Sequence, residues 1–158
     1  MDARVKPAHD DREERDMTPD QVKIVQQSFA KVAPIADQAA TIFYNRLFEV
    51  APSVKVMFPE DMTEQRRKLM ATLAVVVTGL SDLPSILPAA SALAIRHVSY
   101  GARREHYPVV GAALLYTLEK GLGEAWTPEV ASAWSAAYGT LSGYMMSEAY
   151  GRPSQAAE

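Results

Sequence analysis

Apolar residues recur every three to four positions through most of the chain, the period of α-helices that each turn one face to a core. Val22, Val25, Phe29 and Val32 form the first stripe, and Thr18-Pro19-Asp20-Gln21 ahead of it reads as a capping box with a first-turn proline. A second helix is predicted over about 34–50, with Ile35, Ala39, Phe43 and Leu47 in line, Tyr44 beside them, and Pro52 closing it. A connector carrying Val54, Val56, Met57 and Phe58 leads to Asp61, which with Glu64 three positions later reads as a further capping box. The third helix, about 63–80, aligns Leu69, Leu73 and Val76, with Gln65 one turn before Leu69. Pro84 and Pro88 suit first turns ahead of a helix striped by Ala90, Leu93 and His97 and stopped by Gly101. A fifth helix, about 104–122, carries Tyr107, Val110, Leu114 and Leu118. The sixth opens at Thr127-Pro128-Glu129 and aligns Val130, Trp134, Tyr138, Leu141 and Met145, with Glu148 one turn farther. No segment alternates with period two, nothing repeats, and no glycine-rich phosphate loop is present, so the expected fold is all-α.

Composition narrows the function. A chain of 158 residues with 48% hydrophobic content supports one core, placed at 18–150. Residues 1–17, with the run Asp10-Asp11-Arg12-Glu13-Glu14-Arg15-Asp16, read as a charged, solvated tail, and 151–158 as a short C-terminal one. Net charge is −3 with no basic stripe, which argues against nucleic acid as a partner. No run approaches the roughly 20 apolar residues of a membrane span, and the charged N-terminus lacks a signal-like apolar core, so no membrane is expected and the location expected is cytoplasmic. The absence of cysteine rules out disulfides, thiolate metal sites and any thioether-linked prosthetic group.

Polar or ionisable groups interrupt several apolar stripes. Gln65, His97 and Glu148 stand where a plain core would carry Leu or Val, and Tyr44 and Tyr107 lie on or beside such stripes. Taken singly, each has an ordinary explanation. A core histidine can bond a backbone carbonyl, tyrosine hydroxyls can do the same, and a glutamate near a helix end can face water. Their joint occurrence carries the information.

These residues sit in segments that resemble the globins, in particular single-domain bacterial haemoglobins and the haem domain of flavohaemoglobins. The matching segments are Phe43-Tyr44-Asn45-Arg46-Leu47-Phe48 with Pro52, Phe58, Gln65-Arg66-Arg67-Lys68-Leu69-Met70, Leu83-Pro84 to Leu87-Pro88, Arg96-His97, His106-Tyr107-Pro108-Val109-Val110-Gly111, and Ala133-Trp134 to Ala137-Tyr138-Gly139. The resemblance implies a globin fold of about six to eight helices, three over three, around a non-covalent haem b. It implies His97 as the iron ligand through Nε2, with its other ring nitrogen donating to a carboxylate held by Tyr107; Glu148 is the available carboxylate. If Glu148 is exposed instead, the Leu93 carbonyl one turn before His97 is the alternative acceptor, and the chemistry leans toward oxygen carriage. The resemblance further implies Tyr44 and Gln65 as donors to bound O₂, with Phe58, Leu69, Leu93 and Val110 among the residues around the ring. Lys68 is placed to reach a haem propionate or, equally, to sit in solvent.

The function this resemblance implies is an O₂-binding globin that converts O₂ and NO to nitrate. Tyr44, Gln65, Tyr107 and Glu148 carry the chemistry in that reading. With only 151–158 after Tyr150, the reductase is expected to be a separate protein. The alternatives are oxygen storage or delivery, or gas sensing, without turnover. A cofactor-free helical interaction module is the structural alternative, and the related bilin-carrying architecture is disfavoured by the lack of cysteine. The oligomeric state is left open.

Overall fold

The computed structural model describes residues 17–151; the tail expectations for 1–16 and 152–158 lie outside that range. Among the described residues six α-helices follow one another: α1 (Pro19–Val32), α2 (Ala36–Val50), α3 (Thr63–Gly79), α4 (Leu83–Ser99), α5 (His106–Leu122) and α6 (Pro128–Tyr150). Single 3₁₀ turns join several of them, at Ala33–Ile35, Pro52–Met57, Leu80–Asp82 and Gly123–Ala125. No strand occurs among the described residues.

Local chemistry explains most boundaries. The Thr18 hydroxyl accepts from the Gln21 amide, and the Gln21 side chain accepts from the Thr18 amide, closing the expected capping box on α1. Thr127 caps α6 through the Val130 amide, with Pro128 in the first turn. Three expectations need correction. Asp61 accepts from the Thr63 amide at 3.0 Å, yet it does not cap α3; Glu64 is drawn to Arg67, so no capping box forms. Pro88 does not precede the helix of His97 but lies inside it, because α4 already starts at Leu83. Its ring forfeits the bond to the Pro84 carbonyl, a loss confined to the helix's opening turns. Pro34 belongs to a 3₁₀ turn, so α2 begins at Ala36.

Two apolar clusters hold the helices together. The larger joins α1, α2, α5 and the first half of α6 around Val25, Phe29, Phe43, Leu47, Leu114, Leu118 and Trp134, and Met17, expected in the tail, packs against it. Within it the Trp134 indole donates to the buried Ser28 hydroxyl at 2.8 Å, satisfying a group that would otherwise be costly to bury. Gln26 on α1 donates to the Val77 carbonyl near the end of α3, fixing that end. The smaller cluster lies between α4, the start of α5 and the end of α6, and consists of Ala90, Ala94, Tyr107 and Met145 with partly buried Leu93, Leu141, Tyr144, Met146, Ala149 and Tyr150.

The second half of α3 and most of α4 are apolar, yet much of their surface is uncovered. An 18-residue window within Thr63–Ser99 reaches a mean hydropathy of 1.6, yet only 17% of it is buried. By length and composition alone this stretch is apolar enough to cross a membrane, a test that core helices also pass. The 3₁₀ turn at Leu80–Asp82 divides it into two helices, and Asp82, Pro84 and Pro88 fall at or after the break.

Candidate functional site

Tyr44 stands on the core side of α2 and is buried, its ring edge-on to Phe58 with centroids 5.5 Å apart. Phe58 in turn meets Phe48 at 5.4 Å, so an aromatic group fixes the Tyr44 ring. From the first turn of α3, the Gln65 amide nitrogen donates to the Tyr44 hydroxyl oxygen at 3.1 Å. Because the phenol accepts from Gln65, its own proton is not spent on that contact. Burial pushes the Tyr44 pKa up and the Gln65 hydrogen bond only partly opposes this, so the hydroxyl stays protonated, a donor, at neutral pH. Leu69, one turn after Gln65, lines a small apolar cavity with Phe29, Phe43 and Leu73.

His97 lies near the end of α4 with its Nδ1 2.8 Å from the Leu93 carbonyl. A carbonyl only accepts, so Nδ1 carries the proton and Nε2 keeps its lone pair. Burial holds the His97 pKa below its usual value, the Leu93 bond pulls the other way, and the Arg96 charge adds to the depression. The ring is therefore neutral at pH 7, the state a metal requires. Gly101, at φ 97°, lets the chain turn sharply out of α4, a conformation that side chains disfavour.

Tyr107 is buried in the smaller cluster, and its hydroxyl is the buried side-chain polar atom that has no hydrogen-bond partner among the described residues. Such an orphan costs about 1–3 kcal/mol. Burial and the neighbouring Tyr150 both push its pKa up. Its backbone is held by Tyr138, whose hydroxyl donates to the Tyr107 carbonyl at 2.6 Å. That contact needs Gly111: a Cβ there would stand 2.6 Å from the Tyr138 ring.

The structure thus brings Tyr44, Gln65 and Phe58 together, and joins His97 to Leu93 through the backbone. Val110 packs against the larger cluster, while Lys68 is exposed. Glu148 is not beside His97. It is exposed, and its carboxylate accepts from the Ser91 hydroxyl at 2.8 Å. Ser91 escaped the sequence reading, since nothing in an Ala-Ser-Ala run announces a partner 57 positions away. Tyr138 was read only as a stripe residue. The signal that could have exposed its role is Gly111, a glycine inside a helix, which often marks close approach.

The globin family model matches residues 41–145. The chain belongs to the globin family. It is 35% identical over 123 residues to a flavohemoprotein of Rhodopirellula baltica, a match covering 76% of this chain and 30% of that protein. A flavohemoprotein of Bordetella parapertussis is 37% identical over 102 residues, covering 63% and 25%. The chain therefore spans under a third of these relatives. Among solved structures, a bacterial globin from Campylobacter jejuni superposes with a TM-score of 0.75 at 25% identity, covering 84% of this chain and 96% of that one. An engineered carbene transferase, a candidate nitric oxide dioxygenase from Rhodothermus marinus, superposes at 0.77 with 21% identity, covering 90% and 99%, and shares the fold.

Family membership implies haem, and the residues fit it. A flat apolar ring would cover the exposed faces of α3 and α4. The lone pair of His97 Nε2 would hold the iron of such a group, and Tyr44 with Gln65 would offer it polar contacts.

Proposed function

We propose that this globin binds O₂ on haem b held by His97 and, given electrons from a separate reductase, consumes NO with that O₂ to form nitrate. The observation that carries the reading is the direction of the Gln65–Tyr44 hydrogen bond. Haem supplies an iron that binds diatomic gases reversibly and exchanges one electron. His97 holds the group from α4 through Nε2, its ring fixed by the Leu93 carbonyl. Tyr44, protonated and with its proton uncommitted to Gln65, donates to a ligand that gains negative charge on binding; in a dry site that bond is stronger than in water. Gln65 orients the phenol and cannot itself bind iron strongly. Phe58 and Leu69 exclude water from the same side. The balance is NO plus O₂ plus one electron giving nitrate, so sustained turnover needs the reductant. The flavohemoprotein relatives support this reading through their shared globin region.

A second reading, O₂ binding without turnover, draws on one observation: His97 faces a peptide carbonyl rather than a carboxylate. The test is to mix the haem-loaded, oxygenated chain with NO in the presence of a flavoprotein electron donor. Nitrate formed over many cycles is expected. A single round of nitrate that stalls despite the donor supports the second reading and sinks the first.

A further inference from the structure

We infer that Ser91 and Glu148 form a latch between α4 and α6, and that it leaves the Leu93 carbonyl, among the described residues, as the hydrogen-bond acceptor that orients the His97 imidazole. This rests on the reading of His97 as the haem ligand. On α6 the line facing the smaller cluster runs through Leu141, Met145 and Ala149, each four residues apart. Glu148 is one position short of that line and so is turned about 100° away from it. There it meets Ser91, 2.8 Å away. Ser91 precedes His97 by six residues, which puts it about 9 Å back along α4 and about 120° around the axis. A carboxylate committed to Ser91 therefore cannot also engage His97 Nδ1, which is satisfied by Leu93 at 2.8 Å.

The orphan hydroxyl of Tyr107 agrees with this arrangement. It lies in the cluster that Ala149 packs against, where no carboxylate arrives to accept from it. Ser91 and Glu148 are thus positioning residues: they tie the helix that carries His97 to α6. A peptide carbonyl is a weaker acceptor than a carboxylate, so the imidazole keeps its neutral character and passes less electron density to a bound metal.

Two measurements on the full chain test the inference. In the haem-loaded reduced protein, the iron–histidine stretching band in resonance Raman spectra reads the strength of the Nδ1 acceptor. Glu148→Gln leaves that band where it is in the wild type; a downward shift would show that Glu148 does reach His97 and would overturn the proposal. Ala149→Glu, which sets a carboxylate on the inward line, moves the band upward; an unmoved band overturns the register argument. Should Ala149→Glu fail to take up haem, the Glu148→Gln band still decides. The latch itself is read without haem, by thermal unfolding. Ser91→Ala and Glu148→Ala, which removes the acceptor altogether, each lower Tm, and the double variant loses no more than the larger single loss; additive losses, or none, dismiss the latch. A wild type that takes up no haem would instead refute the proposed function, leaving the unfolding cycle to judge the latch alone.

Discussion

The α2–α3 wall of the candidate site and its α4 wall solve the same problem differently. On the α2–α3 wall the polar pair is side chain to side chain, Gln65 to Tyr44, backed by the aromatic group of Phe48 and Phe58 and by the larger core. On the α4 wall the key side chain bonds its own helix's backbone, and only four residues of the smaller cluster are fully buried. The first wall is built to present a donor whose position depends on contacts between distant segments. The second holds a lone pair whose direction is set within one helical turn, and it leaves the Tyr107 hydroxyl unsatisfied behind it. Ligand chemistry should therefore be sensitive to many residues on the Tyr44 side, and anchoring to one residue on the His97 side.

The strongest break in this comparison is His97→Ala. No other described group on α4 offers an imidazole, so haem affinity should fall by more than the roughly 10–100-fold that supporting partners command. The Soret band after reconstitution reads it, and a variant with an unchanged band and axial-ligand signature would remove His97 from the site. Tyr44→Phe should come next. Losing a hydrogen bond to a partly charged ligand removes about 1.5–3 kcal/mol, hence roughly ten- to a hundredfold faster O₂ release. Gln65→Ala should speed release less, because Gln65 acts through the orientation of the phenol. Equal effects from the two variants would show that Gln65 contacts the ligand as directly as Tyr44 does.

The legibility of these walls in the sequence follows from the same contrast. Helix stripes and caps are local, so α1, α6 and the alignment of Phe43, Leu69 and Trp134 could be read directly. His97 stood out because a polar group on an apolar stripe is visible at helical spacing. What periodicity does not fix is rotation at the end of a long helix. Glu148 follows Met145 by three residues, and a three-residue step falls short of a full turn, enough to send it to Ser91 rather than inward. Pro88 misled in the opposite way: proline chemistry disfavours a helix interior, but the packing of Ile86, Ala90 and Ala94 extends α4 through it. Glu64 showed that a capping residue can be diverted by a nearby arginine.

A smaller effect separates structure from ligand chemistry on the His97 side. Tyr107→Phe removes the orphan hydroxyl while keeping the ring that packs against Tyr150, with centroids 6.5 Å apart. Replacing an unsatisfied buried polar group by an apolar one of the same shape is neutral to stabilising, so the haem-free chain should gain up to about 1 kcal/mol in denaturant unfolding. A clear loss of stability would show that the hydroxyl has a partner in solution. The equivalent change on the other wall, Tyr44→Phe, strands a Gln65 donor and should not stabilise, which makes the pair a direct comparison of the two walls.

The smallest effect is a pH dependence confined to the His97 wall. Burial lowers the His97 pKa below its ordinary value of 6.5, so the unfolded chain takes up a proton that the folded chain refuses. The stabilisation is complete above pH 6.5 and is lost as pH falls from there toward the depressed folded value, with a slope of at most about 1.4 kcal/mol per pH unit. Asp61 and Glu64 have lowered pKa values too, but they start from 3.8 and 4.5, so their losses come at more acid pH and leave a separate window for His97. Tyr44 contributes nothing here, because its raised pKa acts only in alkali. Unfolding of the haem-free chain measured from pH 7 to 5 should therefore slope in the wild type and flatten in His97→Ala. Equal slopes would mean that the imidazole is as accessible to protons when folded as when unfolded. The α4 wall would then lack the neutral, half-buried lone pair on which its role as anchor depends.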